Sequence, residues 1–260
     1  MKTKTAVILC GGLGRRLGSL GKKIPKTLVK IQGKPIIWYI VKFLQLHSFN
    51  HFILPLGHKS EKIKEYFKNN KEFKNNKIYI NLIDTGKNSS IAQRIFMIKK
   101  YIKSKNFALL NGDAIFNFNI RNCFSVHENK KNFITFLGCA AKLNYGIINV
   151  FKGKVNSFER DAIFDQISYS KKKNYIGQVY SGISIINRDL LRLKFQNYKN
   201  FEKEFYPRVI KKFKTNFNQI QGFWHSIDIP RDVEELYKAN NKKKYYEVVK
   251  LKKQLIKKNN

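Results

Sequence analysis

A short apolar run, Ala6–Leu9, breaks into Gly11, Gly12 and Gly14 and then into a concentration of cations: Arg15, Arg16, Lys22, Lys23 and Lys26. A run this short, bounded by turn formers, reads as a buried strand rather than a helix. Glycines placed directly after a strand let backbone N–H groups approach a ligand with no side chains in the way. Those amides suit an anion, and the flanking cations suit a large one such as a nucleoside triphosphate. At this point a glycine-rich turn on a basic surface remains the alternative.

Two other glycine patterns are excluded. A dinucleotide fingerprint needs G-x-G-x-x-G opening a helix, with an acidic residue about 20 positions later. Here the spacing is G-G-x-G and the following region is basic. A P-loop needs Gly-Lys-Ser/Thr after four intervening residues, which is absent. Met1–Cys10 also differs from an export signal: its apolar run falls short of a signal core of about 7–15 residues, and basic sequence follows.

Composition narrows the class further. At 260 residues the chain can bury a full core, and its hydrophobic fraction of 43% is ordinary for a globular protein. No segment approaches the roughly 18 apolar residues of a membrane span, so no membrane partner is expected. Cys10, Cys123 and Cys139 are odd in number and lack metal-ligand spacing, which fits a reducing, cytoplasmic setting. A net charge of +35 invites a nucleic-acid reading. Only nine of the 52 cations are Arg, however, and the Lys residues are spread along the whole chain. Arg is the residue suited to bidentate phosphate and base contacts, so no dedicated nucleic-acid function is expected. A homo-oligomer is compatible with the sequence.

Through the first half, strand and helix patterns alternate. Helices are expected over Lys34–His47, Ser60–Lys68 and Ser89–Lys103, and strands over Phe52–Leu56, Ile78–Ile83 and Phe107–Leu110. Alternation of this kind implies right-handed crossovers and a mostly parallel sheet. From about Phe133 the pattern shifts to strands at Phe133–Cys139, Gly146–Phe151, Val155–Glu159 and Val179–Asn187, with a hairpin turn at Gly153. Helices follow over Phe201–Phe213 and from Pro230. The Lys-rich end reads as a surface helix with a frayed terminus, Tyr246, Val249, Leu251 and Ile256 being loosely periodic. Ser168–Asn174 is the best candidate for a mobile loop. The fold class expected is α/β: a Rossmann-like, mostly parallel central sheet with helices on both faces. One domain would span 1–240, its nucleotide-binding half 1–132 and its acceptor-binding half 133–240, with a helical tail over 241–260.

Chemistry-bearing residues concentrate in four stretches. Besides the opening loop, a buried strand ends in Asn111-Gly112-Asp113, and ligands bind outside the carboxyl ends of such strands. Asp113 is thus a candidate catalytic carboxylate, with a turn-forming Asp as the alternative. In "IDTGKNSSIAQRI" a strand breaks into a polar loop that caps a helix, with Ser89 or Ser90 as N-cap. In "GFWHSIDIPRDVEEL", Asp228 and Asp232 flank Pro230, and one of the two is the cap of the helix that begins there.

With these stretches together, the chain resembles the sugar-nucleotide nucleotidyltransferases, most closely their cytidylyltransferase branch. The opening G-G-x-G-x-R-L and later Pro-Lys are matched by Gly11, Gly12, Gly14, Arg16, Leu17, Pro25 and Lys26. The branch's Asp-Thr-Gly and Ser pair are matched by Asp84, Thr85, Gly86, Ser89 and Ser90, and its Gly-Asp by Gly112 and Asp113. The late pattern is matched by Gly222, Phe223, Trp224, Asp228, Arg231 and Asp232. The resemblance runs from about residue 5 to 240 and implies a nucleotidyltransferase (GT-A-like) fold. It also implies transfer of CMP from CTP to a phosphorylated small-molecule acceptor, with release of pyrophosphate. Arg16 and Lys26 would be the catalytic cations, and Asp113 and Asp228 would hold Mg²⁺. Leu9, Gly11, Gly12, Gly14, Arg15, Thr85, Gly86, Ser89, Ser90 and Gly112 would meet the nucleotide. Tyr145, Gly146, Glu159, Arg160, Ser181 and Gly182 would meet the acceptor.

The departures fall mainly on the acceptor side. Where hexose 1-phosphate enzymes of this type carry Glu-Lys-Pro after Ser-Phe, this chain has "SFERDAIF", so Arg160 replaces the Lys. "VYSGISII" likewise puts Tyr180 and Ser181 in place of the usual Asn pattern before Gly182. Arg15 stands where the family has Thr. In these respects the chain is similar to cytidylyltransferases that make CDP-L-glutamine from L-glutamine phosphate for capsular phosphoramidate. The expected acceptor is therefore L-glutamine phosphate, with glucose 1-phosphate as the alternative.

Overall fold

Ala6 and Ile8 pack on one side of the first strand and Val7 on the other, the pattern of a strand covered on both faces. The computed structural model describes residues 3–12, 14–74, 78–142, 147–160, 163–164, 166–168, 176–239 and 242–257. Strand β1 (Thr5–Leu9) is followed by a short helix α1 (Gly18–Lys23), helix α2 (Ile36–Leu46), strand β2 (His51–Leu56) and helix α3 (Ser60–Asn69). Strand β3 (Tyr79–Asp84), helix α4 (Ile91–Ile98) and strand β4 (Asn106–Asn111) complete the alternating half. Then come β5 (Ala114–Phe118), α5 (Ile120–Asn129), β6 (Ile134–Cys139) and a hairpin of β7 (Ile147–Phe151) and β8 (Lys154–Glu159). The long β9 (Ile176–Asn187), α6 (Phe201–Lys212), β10 (Thr215–Gln219), β11 (Gly222–Ser226), α7 (Pro230–Tyr237) and α8 (Lys242–Lys257) follow.

The main sheet runs β10-β6-β9-β4-β1-β2-β3. β9 is antiparallel to both its neighbours, and the other pairs on this path are parallel. Side chains alternate between two cores. Ala108 and Leu110 of β4 join the face covered by α2, α3 and α5, while Phe107 and Leu109 join the face covered by α4 and α6. The mixed α/β class, a mostly parallel sheet between helices, is therefore as the sequence implies.

Some element boundaries differ from the sequence reading. The helix expected from Lys34 starts at Ile36, because Lys34–Pro35 pair with Lys30–Ile31 and Pro35 stands at the N-cap. The helix expected over Ser89–Lys103 is α-helical only over Ile91–Ile98 and tightens into a 3₁₀ turn at Lys99–Tyr101. The C-terminal helix is not loosely attached: Val248, Leu251 and Leu255 are fully buried in the core that α2 and α7 share. Tyr246 and Ile256, expected on its apolar stripe, are exposed instead. Spacings of three and four select one helix face, and the stripe that docks is the one through 248, 251 and 255. Of the Ser168–Asn174 loop, residues 169–174 lie outside the described residues.

Between the sheet and α5, His127 is buried, its Nδ1 2.9 Å from Thr135 Oγ1 and its Nε2 3.3 Å from Asn106 Oδ1. Burial pulls its pKa down from 6.5 to about 4, against a smaller opposing effect of Glu128. His225 is shifted in the same direction, again chiefly by burial, to about 4. Between these limits the unfolded chain takes up protons that the folded chain does not. The stability these two histidines contribute is therefore fully present above about pH 6.5 and is lost as pH drops toward 4, by up to about 1.4 kcal/mol per pH unit per histidine. Urea denaturation at pH 7.5 and pH 5 checks this: the midpoint is lower at pH 5, and equal midpoints would contradict the burial argument.

Candidate active site

β1 has β2 on one side and β4 on the other, so the chain leaves β1 toward one edge and later returns to its other side. In open α/β sheets ligands bind at such a switch point, outside the carboxyl ends of the strands. A cavity of about 540 Å³ opens there. Leu9, Gly11, Gly12 and Gly14 line it from the first loop, Ser89 and Ser90 from the start of α4, and Gly112 and Asp113 from the end of β4. Lys26 also reaches it.

Lys26 and Asp113 line the cavity and belong to an ionic cluster that extends to Asp228 and Arg16, which do not line it. Lys26 Nζ donates to Asp113 Oδ2 at 2.8 Å and to Asp228 Oδ1 at 2.9 Å, and Arg16 Nη2 lies 3.0 Å from the same Asp228 oxygen. Burial opposes ionisation of Asp228. The bond and charge of Lys26, with the charge of Arg16, outweigh it and hold the carboxyl below the usual aspartate range. Asp113 and Asp228 are far apart in sequence and meet because β5 pairs antiparallel with β11, Ala114 opposite Ser226. Just beyond that pair, Ile227 N–H donates to the Asp113 carbonyl at 2.8 Å. The choice between Asp228 and Asp232 is also resolved. Neither Asp is the N-cap of α7, which is Ile229; Asp232 stands at N3 and reaches back, its Oδ2 accepting the backbone N–H groups of Asp228 and Ile229 at 2.6 and 2.9 Å. The Asp228 carboxylate is thereby left to face Lys26.

Arg94 is a functional candidate that the sequence reading missed. It lies on the buried stripe of α4 with Ala92, Ile95 and Ile98, only 4% exposed, and lines the cavity. Its guanidinium donates to Thr85 Oγ1 (2.6 Å) and to the carbonyls of Leu56 (2.8 Å), Lys87 (3.3 Å) and Gly11 (3.4 Å). It thus ties the first loop, the end of β2 and the 85–88 loop into one wall. A Cβ on Gly11 would stand 2.3 Å from the Arg94 guanidinium carbon, so this glycine makes room for a side chain of the site. A cation on the apolar face of a short amphipathic helix was the signal available in the sequence.

The remaining candidates are placed less directly. Thr85 is buried and donates to the Leu56 carbonyl at 2.6 Å, and the Gly86 N–H donates to Asp84 Oδ1 at 2.9 Å, so both shape the wall without lining it. Ser90, not Ser89, caps α4 through a reciprocal pair of bonds with Gln93. Of Arg15 only the backbone is described. On the acceptor side, β9 bulges at Tyr180–Ile183. There Gly182 adopts a φ of +76°, and a Cβ on it would lie 2.6 Å from the Asn111 side chain. The bulge therefore abuts a residue that lines the cavity. Ser181 instead spends its hydroxyl on the Leu137 carbonyl at 2.7 Å. Tyr180 bonds Ser184 and Tyr206 at 2.8 and 3.0 Å. Glu159 and Arg160 lie exposed at the end of β8, Glu159 accepting from Asn149 at 2.9 Å. Tyr145 and Gly146 lie outside the described residues.

Two carboxylates and two cations gathered beneath a glycine-rich loop, at the switch point of a parallel sheet, suit chemistry on a polyphosphate. The fold and site therefore define a nucleotide-dependent group-transfer enzyme. A family model described as nucleotidyl transferase matches residues 5–160. A protein of Bacillus subtilis named as a probable glucose-1-phosphate cytidylyltransferase is 31% identical over 255 residues, covering 91% of this chain and 96% of its own. The chain belongs to the nucleotidyl transferase family and is a nucleotidyltransferase. A D-glycero-alpha-D-manno-heptose 1-phosphate guanylyltransferase of Campylobacter jejuni is 30% identical, covering 87% of this chain and 96% of its own. Among solved structures, HddC from Yersinia pseudotuberculosis complexed with GMP-PN superposes with a TM-score of 0.65 at 21% identity, over 90% of this chain and 97% of that one. That last likeness bears on the fold alone.

The family's reaction commonly uses a divalent metal, and the residues present fit one. Asp113 and Asp228 each put one oxygen within 3 Å of a single point, the Lys26 ammonium. Mg²⁺ is characteristically held by one or two carboxylates, with waters and substrate phosphates completing the shell. Among the described residues no group of three or more His, Cys, Asp or Glu could hold a metal without such help.

Proposed function

We propose that the chain transfers CMP from CTP to the phosphate of a small-molecule acceptor, releasing pyrophosphate. The observation that carries this reading is that Lys26, which lines the cavity with the glycine loop and Asp113, holds an oxygen of Asp113 and of Asp228 at one point. In such a transfer the acceptor phosphate oxygen attacks the α-phosphorus while pyrophosphate leaves in line, and the protein contributes positioning and charge neutralisation. The backbone amides of Gly11, Gly12 and Gly14 meet the triphosphate. Arg16 steadies the β- and γ-phosphates, and Lys26 neutralises the α-phosphate and the incoming acceptor. Asp113 and Asp228 would hold Mg²⁺, which would supply charge neutralisation at the phosphate oxygens. The wall from Lys87 to Ser90, backed by Thr85, faces the base.

Cytosine as the base is supported by the Asp84-Thr85-Gly86 and Ser89-Ser90 pattern and by the name of the Bacillus subtilis relative. Pyrophosphate release measured in turn with CTP, UTP, GTP, ATP and dTTP, with an acceptor present, tests it. CTP is expected to lead. Equal rates with all five, or a preference for GTP or dTTP, would overturn the cytidylyl assignment.

For the acceptor our proposal is L-glutamine phosphate, giving CDP-L-glutamine for capsular phosphoramidate synthesis. Arg160 supports it, offering a planar fork to a phosphate where hexose enzymes carry Lys. Tyr180 and Ser181 lend it little, since their hydroxyls bond within the fold. Glucose 1-phosphate is supported at least as well, by the relatives' names. We expect kcat/KM under saturating CTP and Mg²⁺ to favour L-glutamine phosphate by at least tenfold. The reverse preference would make the acceptor-side departures neutral and the chain a glucose-1-phosphate cytidylyltransferase.

A further inference from the structure

Lys26 holds the same two carboxylate oxygens that the proposed function gives to a divalent cation. We propose that Lys26 is an internal counter-cation for the metal pair, so that the divalent ion enters only with the nucleotide, whose phosphates take Lys26 over. The inference rests on reading Asp113 and Asp228 as that pair. Its basis is the arrangement of charge. One ammonium, its side chain only 15% exposed, bridges both carboxylates at 2.8 and 2.9 Å, and the Arg16 guanidinium adds a second cation at 3.0 Å from Asp228. Two negative charges thus face two positive ones, and the cluster is neutral as it stands. A free dication approaching it meets no net attractive field and must displace a charge-assisted hydrogen bond from each ligand. Mg²⁺ also gives up its water reluctantly, so the exchange is unfavourable from both sides.

A triphosphate reverses that balance. It brings several negative oxygens to the mouth of the loop, within the cavity that Lys26 itself lines. The Lys stem is flexible and carries three donors, so its ammonium can turn from carboxylate to phosphate while the backbone stays in the 3₁₀ turn Lys26–Leu28, where Val29 N–H donates to the Lys26 carbonyl at 3.1 Å. The Asp113 and Asp228 carboxylates would then be free to hold a divalent ion brought with the nucleotide. One side chain would thereby keep two close carboxylates from repelling one another without metal and neutralise the reacting phosphate with it.

The test uses Mn²⁺ as the probe, its free fraction counted by electron paramagnetic resonance, on the full chain. Wild type, Lys26→Met, Lys26→Gln, Asp113→Asn and the double variant Lys26→Met/Asp113→Asn are compared with and without CTP, no acceptor being added. Thermal midpoints establish that each variant is folded. Without CTP, both Lys26 single variants are expected to bind Mn²⁺ at least tenfold more tightly than wild type, and the double variant to lose that gain. With CTP, the gap between wild type and the Lys26 single variants closes. Tight Mn²⁺ binding by wild type without CTP overturns the inference by itself, whatever the variants do. Equal affinities in wild type and the Lys26 variants, abolished by Asp113→Asn, also overturn it while leaving the metal pair intact. If Asp113→Asn changes Mn²⁺ binding neither with nor without CTP, the metal-pair reading itself fails and the inference falls with it.

Discussion

Asn in place of Asp113 is expected to lower kcat/KM by roughly 10²–10³, comparable to removing one transition-state charge stabiliser, and to change the thermal midpoint little. The side chain is about one-third exposed at the end of β4, and its described partner is Lys26. The amide keeps the shape, and its oxygen can still accept from Lys26, so the substitution removes charge rather than packing. The backbone bond from Ile227 to the residue 113 carbonyl does not involve the side chain. Lys26→Ala is expected to lose activity on a similar scale, with a larger loss of stability because two carboxylates are left facing one another. The measurements are steady-state kinetics and thermal unfolding of each variant. A well-folded Asp113→Asn enzyme turning over near the wild-type rate would place the chemistry on a different carboxylate.

Arg94→Ala is expected to have its largest effect on stability. The substitution takes the guanidinium donor from the Thr85 hydroxyl and from the Gly11 and Lys87 carbonyls, while the Leu56 carbonyl keeps the Thr85 N–H and hydroxyl as donors. An unsatisfied buried polar group costs about 1–3 kcal/mol, partly recovered here because a desolvated cation is also removed. A net loss of about 3 kcal/mol is expected, which lowers the melting temperature of a domain this size by roughly 6–12 °C. Since the guanidinium joins both loops that flank the cavity, KM for the nucleotide should rise in the same variant more than kcat falls. Arg94→Lys is expected to recover little, because an ammonium cannot span acceptors spread across three segments. An unchanged melting temperature in Arg94→Ala would show that the wall holds without this clamp.

What was legible in the sequence, and what was not, follows from the range of the interactions. The glycine loop, the strand ending in Gly112-Asp113 and the turn before Pro230 are local signals, and each stands at an end of an element where its chemistry places it. The meeting of Asp113 with Asp228 is not local. It depends on the pairing of β5 with β11, two short strands that no alternation in the sequence singled out. Arg94 was hidden for a related reason: its acceptors come from Gly11, Leu56, Thr85 and Lys87, groups that only tertiary packing brings together. The C-terminal helix shows the same limit, its type being readable but its docking stripe being fixed by what it packs against. Ser181 illustrates the converse: a motif position can be recognised while the direction of its hydroxyl cannot.

The most direct test of the central claim follows the α-phosphate. Protein, Mg²⁺ and CTP labelled at the α-phosphorus are incubated with L-glutamine phosphate or with glucose 1-phosphate, and the products are separated. Nucleotidyl transfer at Asp113, Asp228 and Lys26 predicts that the label moves into a CDP-linked acceptor, that the pyrophosphate released is unlabelled, and that the Asp113→Asn protein forms neither product at a comparable rate. Label recovered as free CMP or inorganic phosphate, with no acceptor conjugate from either substrate, would contradict the claim.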